Sequence, residues 1–173
     1  FENEEGMAAT STKKLRSGLV GEIESIYKKG DLVETLRFGS MISRHLWLSG
    51  RYKDRIAIGM MVEDAASLLE HHEEQIQTLI DDIGWTNVLV GKLDIAEKNI
   101  EHGVRLALTK GHYFWAAKGE RHLAGVADWY KNNLVQTKAH LAKAHEYAQK
   151  ITDETARKET LAGLDYALAD LNL

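Results

Sequence analysis

"GWTNVLVGKLDIAEKNIEHG", Gly84 to Gly103, has helical apolar spacing yet carries glycine at 84, 91 and 103, and what those glycines do decides the fold. The lysine after Gly91 invites a phosphate-loop reading. Such a loop needs Gly, four residues, then Gly-Lys-Ser/Thr, so that backbone amides cradle the phosphates and the hydroxyl holds magnesium. Here six residues separate Gly84 from Gly91, Leu93 stands where the hydroxyl is needed, and no strand-like run precedes the motif. The nucleotide reading fails, and the glycines require a structural cause.

The rest of the chain supplies it. There is no proline in 173 residues, and proline is the residue that helix interiors exclude while turns and strand edges tolerate it. Ile76, Leu79, Ile80 and Ile83 follow the helical period, as do Ile95, Ile100, Val104 and Leu108, and no segment alternates at period two. The chain reads as all-α. Small polar turns mark where helices stop: "KKGDLV" at 28–33, "LSGRYK" at 48–53, "LVGKLD" at 89–94 and "KGHYF" at 110–114. Left-handed glycine ends a helix cheaply, and a neighbouring lysine suits the negative end of the dipole. Roughly eight helices are predicted between these stops, at 11–29, 32–49, 52–71, 73–90, 92–110, 112–131, 134–151 and 154–172. Short loops predict antiparallel hairpins.

Composition excludes several classes. The chain is 44% apolar and 28% charged, the balance of a globular protein. Lys plus Arg number 22 against 26 Asp plus Glu, a net charge of -4, which argues against direct nucleic-acid binding. Without cysteine there are no disulfides or thiolate metal sites. The apolar run "IAIGMMV" at 56–62 falls far short of a membrane span. Because the chain begins "FENEEG", it is expected to be part of a longer protein.

The turns recur. Gly50 and Gly91 lie 41 residues apart, and 41 more reaches Asn132, a residue able to replace glycine at a helix end. A fixed period of this size is the signature of a helical repeat array. The unit "IDDIGWTNVLVGKLDIAEKNIEHGVRLAL", 80–108, resembles tetratricopeptide repeats of the longer-period kind found in large bacterial signalling ATPases and transcription regulators. Gly84 falls at the small position of the first helix, Gly91 at the turn, Ala96 and Gly103 at the small positions of the second, and Ile100 at its large apolar position. The unit before, "SRHLWLSGRYKDRIAIG", keeps the turn and Tyr52 but has Arg55 where alanine is usual; the unit after, "HLAGVADWYKNNLVQTKAHLAKAHEYA", fits with one extra residue in the turn.

The resemblance covers 32–151 and implies three hairpins stacked as a right-handed superhelix. Residues 1–10 would be a disordered segment, 11–31 an N-terminal helix, and 152–173 a capping helix with a charged outer face. The helices at 32–49, 73–90 and 112–131 would line a concave groove, and those at 52–71, 92–110 and 134–151 would form the convex back. Carried onto this sequence, the family's groove positions are Arg37, Ser40, Arg44, Trp47, Thr78, Asp81, Trp85, Val88, Lys118, Arg121, Asp128 and Trp129. Arginine and tryptophan are the residues that make binding hot spots. The implied function is a protein-interaction or sensor module of a cytoplasmic signalling protein, without enzymatic activity, cofactor or metal. Its partner would be a protein or peptide segment, acidic because Arg44, Lys118 and Arg121 face it, anchored at Trp85 or Trp129.

Two alternatives come from histidines. A metal-binding helical bundle would use His71, His72 and Glu74 of "EHHEE" at 70–74, although no glutamate is followed three residues later by histidine as a di-iron bundle requires. A histidine phosphotransfer domain would use His140, whose spacing to Lys143 and Ala144 matches that class.

Overall fold

The structure, a computed structural model, describes residues 18–170. Among the described residues the chain is all-helical, with eight helices and no strand. Helix α1 covers 18–28, and α2 (Leu32–Leu48) and α3 (Tyr52–Leu68) follow it. Helix α4 runs as one rod over 72–89, in which His72–Gln77 and Thr86–Leu89 are α-helical and Thr78–Trp85 between them is π-helical. Then come α5 (Leu93–Lys110), α6 (Tyr113–Trp129), α7 (Leu134–Gln149) and α8 (Glu154–Asp170). Each helix ends within a few residues of its predicted stop; α3, for example, halts at Leu68 rather than 71. The expected disorder of 1–10, the helix start at 11 and the last residues of the capping helix lie outside the described residues.

The stops after α1 to α6 are made by one repeated device, whereas α7 ends at Lys150 with φ -88°. Gly30, Gly50, Glu70, Gly91, Gly111 and Asn132 all take positive φ. At Gly91 the amide bonds Val88 O at 3.0 Å and the Lys92 amide bonds Asn87 O at 2.9 Å, which satisfies two carbonyls that the helix end leaves bare. The same five-residue closure recurs at Arg51 to Leu46, His71 to Ala66 and His112 to Ala107. At Asn132 it is one residue longer, Asn133 N to Ala127 O at 2.8 Å, which is the extra residue that the sequence register requires.

The left-handed positions also expose the basic unit. Successive ones are 20 residues apart except from Glu70 to Gly91 and from Gly111 to Asn132, which are 21 apart. The first excess is the π turn: α2 and α6 have 17 residues each, whereas α4 spans 72–89. The second is the longer turn after α6. A 40-residue hairpin thus reads as a 41-residue period because one residue is added twice by different means.

Glycines set the approach of neighbouring helices. A Cβ on Gly84 would stand 2.5 Å from Ile100 Cγ1 and 2.6 Å from the Leu79 carbonyl; one on Gly103 would stand 2.5 Å from Ile80 Cγ1. Both are buried on the α4–α5 contact, so the opening glycines split as expected into two that pack and one, Gly91, that turns. The apolar core is strung along the chain in successive clusters. Val20, Ile23, Leu36, Ile58 and Val62 join α1 to α3; Val88, Ile100, Val104 and Leu123 join α4 to α6; Leu141, Ala144 and Leu164 join α7 to α8.

Helices pack against their chain neighbours, and α4 also touches α6, as α6 touches α8. Helix α8 stands 41 residues beyond α6 in register, and the buried Ala117 and Ala124 of α6 become the exposed Lys158 and Asp165. Its outer face is therefore charged where α6 is covered by α7. Among the described residues no helix is long and apolar enough to cross a membrane.

Candidate functional site

The π turn is the centre of the site. The wide turn from Thr78 to Trp85 carries two adjacent acids, Asp81 and Asp82, that point at different neighbouring helices. Asp82 faces α3, where Arg55 Nη2 donates to its Oδ1 at 2.5 Å. The rest of that guanidinium is also engaged. Nε donates to Ser43 Oγ of α2 at 3.0 Å, and Nη1 donates to Thr86 Oγ1 at 2.8 Å and to the Asp81 carbonyl at 3.4 Å. Its face lies 4.7 Å from the Trp47 ring. A buried arginine with every donor group matched joins α2, α3 and α4 at one point. Burial pushes the Asp82 carboxyl above its ordinary value against the pull of Arg55.

Asp81 faces α6. Lys118 Nζ donates to its Oδ2 at 2.5 Å and lies 4.7 Å from the Trp115 ring centre. His122 Nε2 lies 3.0 Å from Asp81 Oδ1, and because a carboxylate only accepts, the imidazole carries its proton on Nε2. Burial alone would raise the Asp81 pKa, but the His122 hydrogen bond and the Lys118 charge outweigh it and hold the carboxyl below its usual range. Burial likewise depresses the His122 pKa against the influence of Asp81. At neutral pH the set is therefore an Asp81–Lys118 ion pair beside a neutral imidazole.

His122 stacks on Trp85, with ring centres 4.4 Å apart and planes at 16°, and Trp85 meets Trp129 edge-on at 6.0 Å and 62°. The Trp85–His122 stack is a shared wall between two clefts of about 350 Å³ each. The first cleft lies among α2, α4 and α6, with Ser40, Arg44 and Trp47 on one side and Asp81, Trp85 and Lys118 on the other. The second lies among α6, α7 and α8, with Arg121, Asp128 and Trp129 of α6 facing Gly163 and Ala167 of α8. Both have the size of small-ligand sites.

Nine of the twelve groove positions carried over from the repeat family therefore line these two clefts. Three do not. Thr78 is 2% exposed and packs toward Gly59 of α3; Val88 is 1% exposed in the cluster with Ala96 and Ile100. Arg37 extends into solvent, pairing with Glu34 at 3.2 Å. Lys118 lines the first cleft, but its charge is answered by Asp81, so the positive character assigned to the groove reduces to Arg44 and Arg121. Arg55, Asp82, Ser43 and His122 were not among the expected site residues. A signal for Arg55 was present, since the resemblance puts it at a position where alanine is usual.

Of the alternative sites, His140 Nδ1 lies 2.7 Å from the buried carboxylate of Glu120, so that nitrogen is engaged. His71 is 3.9 Å from Glu74, and no group of three potential metal ligands converges among the described residues. Comparison of the chain with family models, with curated proteins and with solved structures finds no match.

Proposed function

We propose that the chain is a tetratricopeptide-like array, a right-handed superhelix of hairpins, that acts as a protein-interaction or sensor module. Helices α2, α4 and α6 line its concave face. The observation that carries this reading is the convergence of residues from alternate helices on two clefts sharing one aromatic wall. Contacts between α4 and α6 and between α6 and α8 support the stacking, because in an array each first helix meets the next. The partner is a segment bearing carboxylates. Arg44 and Arg121 have no carboxylate within ion-pair distance among the described residues, while the inner charges are already matched. Trp85 and the exposed Trp129 supply the apolar anchor.

The test is selection of a displayed random-peptide library against the immobilised protein. Enriched peptides should be rich in Asp and Glu, weaken with salt, and lose binding to the double variant Arg44→Glu, Arg121→Glu while that variant melts like the parent. Loss of binding on changing Lys98 and Arg105 of α5 to glutamate instead would place the surface on the back of the array and overturn the proposal.

A further inference from the structure

The second cleft contains an arrangement that an acidic partner does not account for. Arg121 and Asp128 both line it, and among the described residues neither is ion-paired. They lie seven residues apart on α6, beyond the three- and four-residue spacings at which helical pairs close. Of the α6 residues between them, His122, Ala124 and Gly125 line the cleft, the Trp129 ring lies over Gly125, 3.5 Å from where a Cβ would stand, and Gly163 and Ala167 are opposite, so the floor is built largely of small residues. Gly163 matters in particular: a Cβ there would lie 3.3 Å from Arg121 Nη1, so the missing methyl leaves room for the guanidinium against α8. At the Asp128 end, Trp85 and Trp129 meet at 62° and form a two-walled aromatic corner, with Trp129 68% exposed.

We propose that this cleft binds a small zwitterion, a free α-amino acid or a betaine, with its carboxylate on Arg121 and its ammonium in the tryptophan corner beside Asp128. Guanidinium and carboxylate match as a planar fork. Because Trp85 is already stacked on His122, an ammonium gains its cation–π attraction chiefly from the exposed Trp129 ring, and the Asp128 carboxylate answers its charge. A ligand carrying only one charge would cover the other protein charge without a partner, which costs desolvation. The cleft volume of about 350 Å³ leaves room for a side chain on the zwitterion. The assignment builds on the concave-face reading only in sharing Trp85, Arg121 and Trp129; it does not involve Arg44.

The experiment is a titration of the intact chain, followed by tryptophan fluorescence and calorimetry, with the free α-amino acids and glycine betaine, and with choline and acetate as half-ligands. At least one zwitterion should saturate, with choline and acetate weaker by about tenfold or more. Asp128→Asn, Arg121→Gln and Trp129→Ala should each weaken that zwitterion by about the same factor, while Lys98→Glu, which lines neither cleft, leaves it unchanged. Unshifted melting of Asp128→Asn separates lost binding from lost folding. Choline binding as well as the zwitterion, with Arg121→Gln silent, would overturn the proposal in favour of a plain cation site; equal binding of acetate, with Asp128→Asn silent, would overturn it in favour of an anion site. Silence from every zwitterion while Arg44-dependent peptide binding persists would sink this inference alone.

Discussion

Replacing Arg55 with methionine tests whether the buried network holds the array together. The side chain is 10% exposed and its partner Asp82 is 5% exposed, so solvent cannot take over when one charge is removed. Thr86 keeps a hydrogen bond to the Asp81 carbonyl at 3.2 Å, and Asp82 loses its charge partner and keeps only the Ser43 hydroxyl. Breaking such a pair costs about 3 to 5 kcal/mol, whereas replacing both members with apolar residues of similar volume is often neutral or better. Arg55→Met should therefore lower the unfolding free energy by about 3 to 5 kcal/mol, and Arg55→Met with Asp82→Leu should recover most of it. The assay is urea denaturation at constant m-value, run across pH. Burial already raises the Asp82 pKa against Arg55, and removing Arg55 leaves burial less opposed. A carboxyl whose folded-state pKa exceeds its unfolded value stabilises most below the unfolded value, and that contribution fades as pH rises through the folded one. The single variant's deficit should accordingly shrink in acid. A double variant as unstable as the single one, or a deficit that does not change with pH, would refute the argument that an uncompensated carboxylate is the cause.

Other outcomes follow from single positions. Gly84→Ala should destabilise by about 1 to 3 kcal/mol in the same assay, because its methyl would meet Ile100 and the Leu79 carbonyl; a gain would mean that α4 and α5 stand farther apart than described. Glu70→Gly should raise stability by about 1 kcal/mol, since Glu70 holds φ 58° without the freedom of glycine. His122 has a folded-state pKa below its unfolded value, so its contribution is full above about pH 6.5 and is lost as pH falls, at no more than about 1.4 kcal/mol per pH unit. His122→Gln should flatten that slope in thermal melts between neutral and mildly acid pH, and an unchanged slope would assign it to other histidines.

Helix ends were legible because their causes are local: a glycine or asparagine at a left-handed position writes its own stop, and Asn132 was readable on that ground even though its closure is a residue longer. Arg44, Arg121 and Trp129 line the clefts as the carried-over positions have it because α2 and α6 are regular helices, on which side chains three and four residues apart share a face. Thr78 and Val88 were misread for the complementary reason. Thr78 opens the π turn and Val88 follows it, and a register counted at a constant angle per residue does not hold through an added residue. Asp82 and His122 each adjoin a residue that was selected, and which of two adjacent side chains turns inward depends on that local angle. Arg55 needed tertiary knowledge, since only the fold brings it within reach of residues 12, 27 and 31 positions away.

The added residue in α4 is also a form of slack. The caps at Glu70 and Gly91 fix where the rod begins and ends, and the wide turn between them takes up the surplus without moving either. Two adjacent acids can then serve two different neighbours, one salt link to α3 and one to α6, from a single rung of the helix. A one-codon deletion inside Thr78–Trp85 would restore an ordinary helix of the length of α2 and α6 and withdraw one of those acids from its neighbour. A change of length there would thus alter a salt link and the helix register together, where Asp81→Asn or Asp82→Asn would remove one link and leave the register as it is.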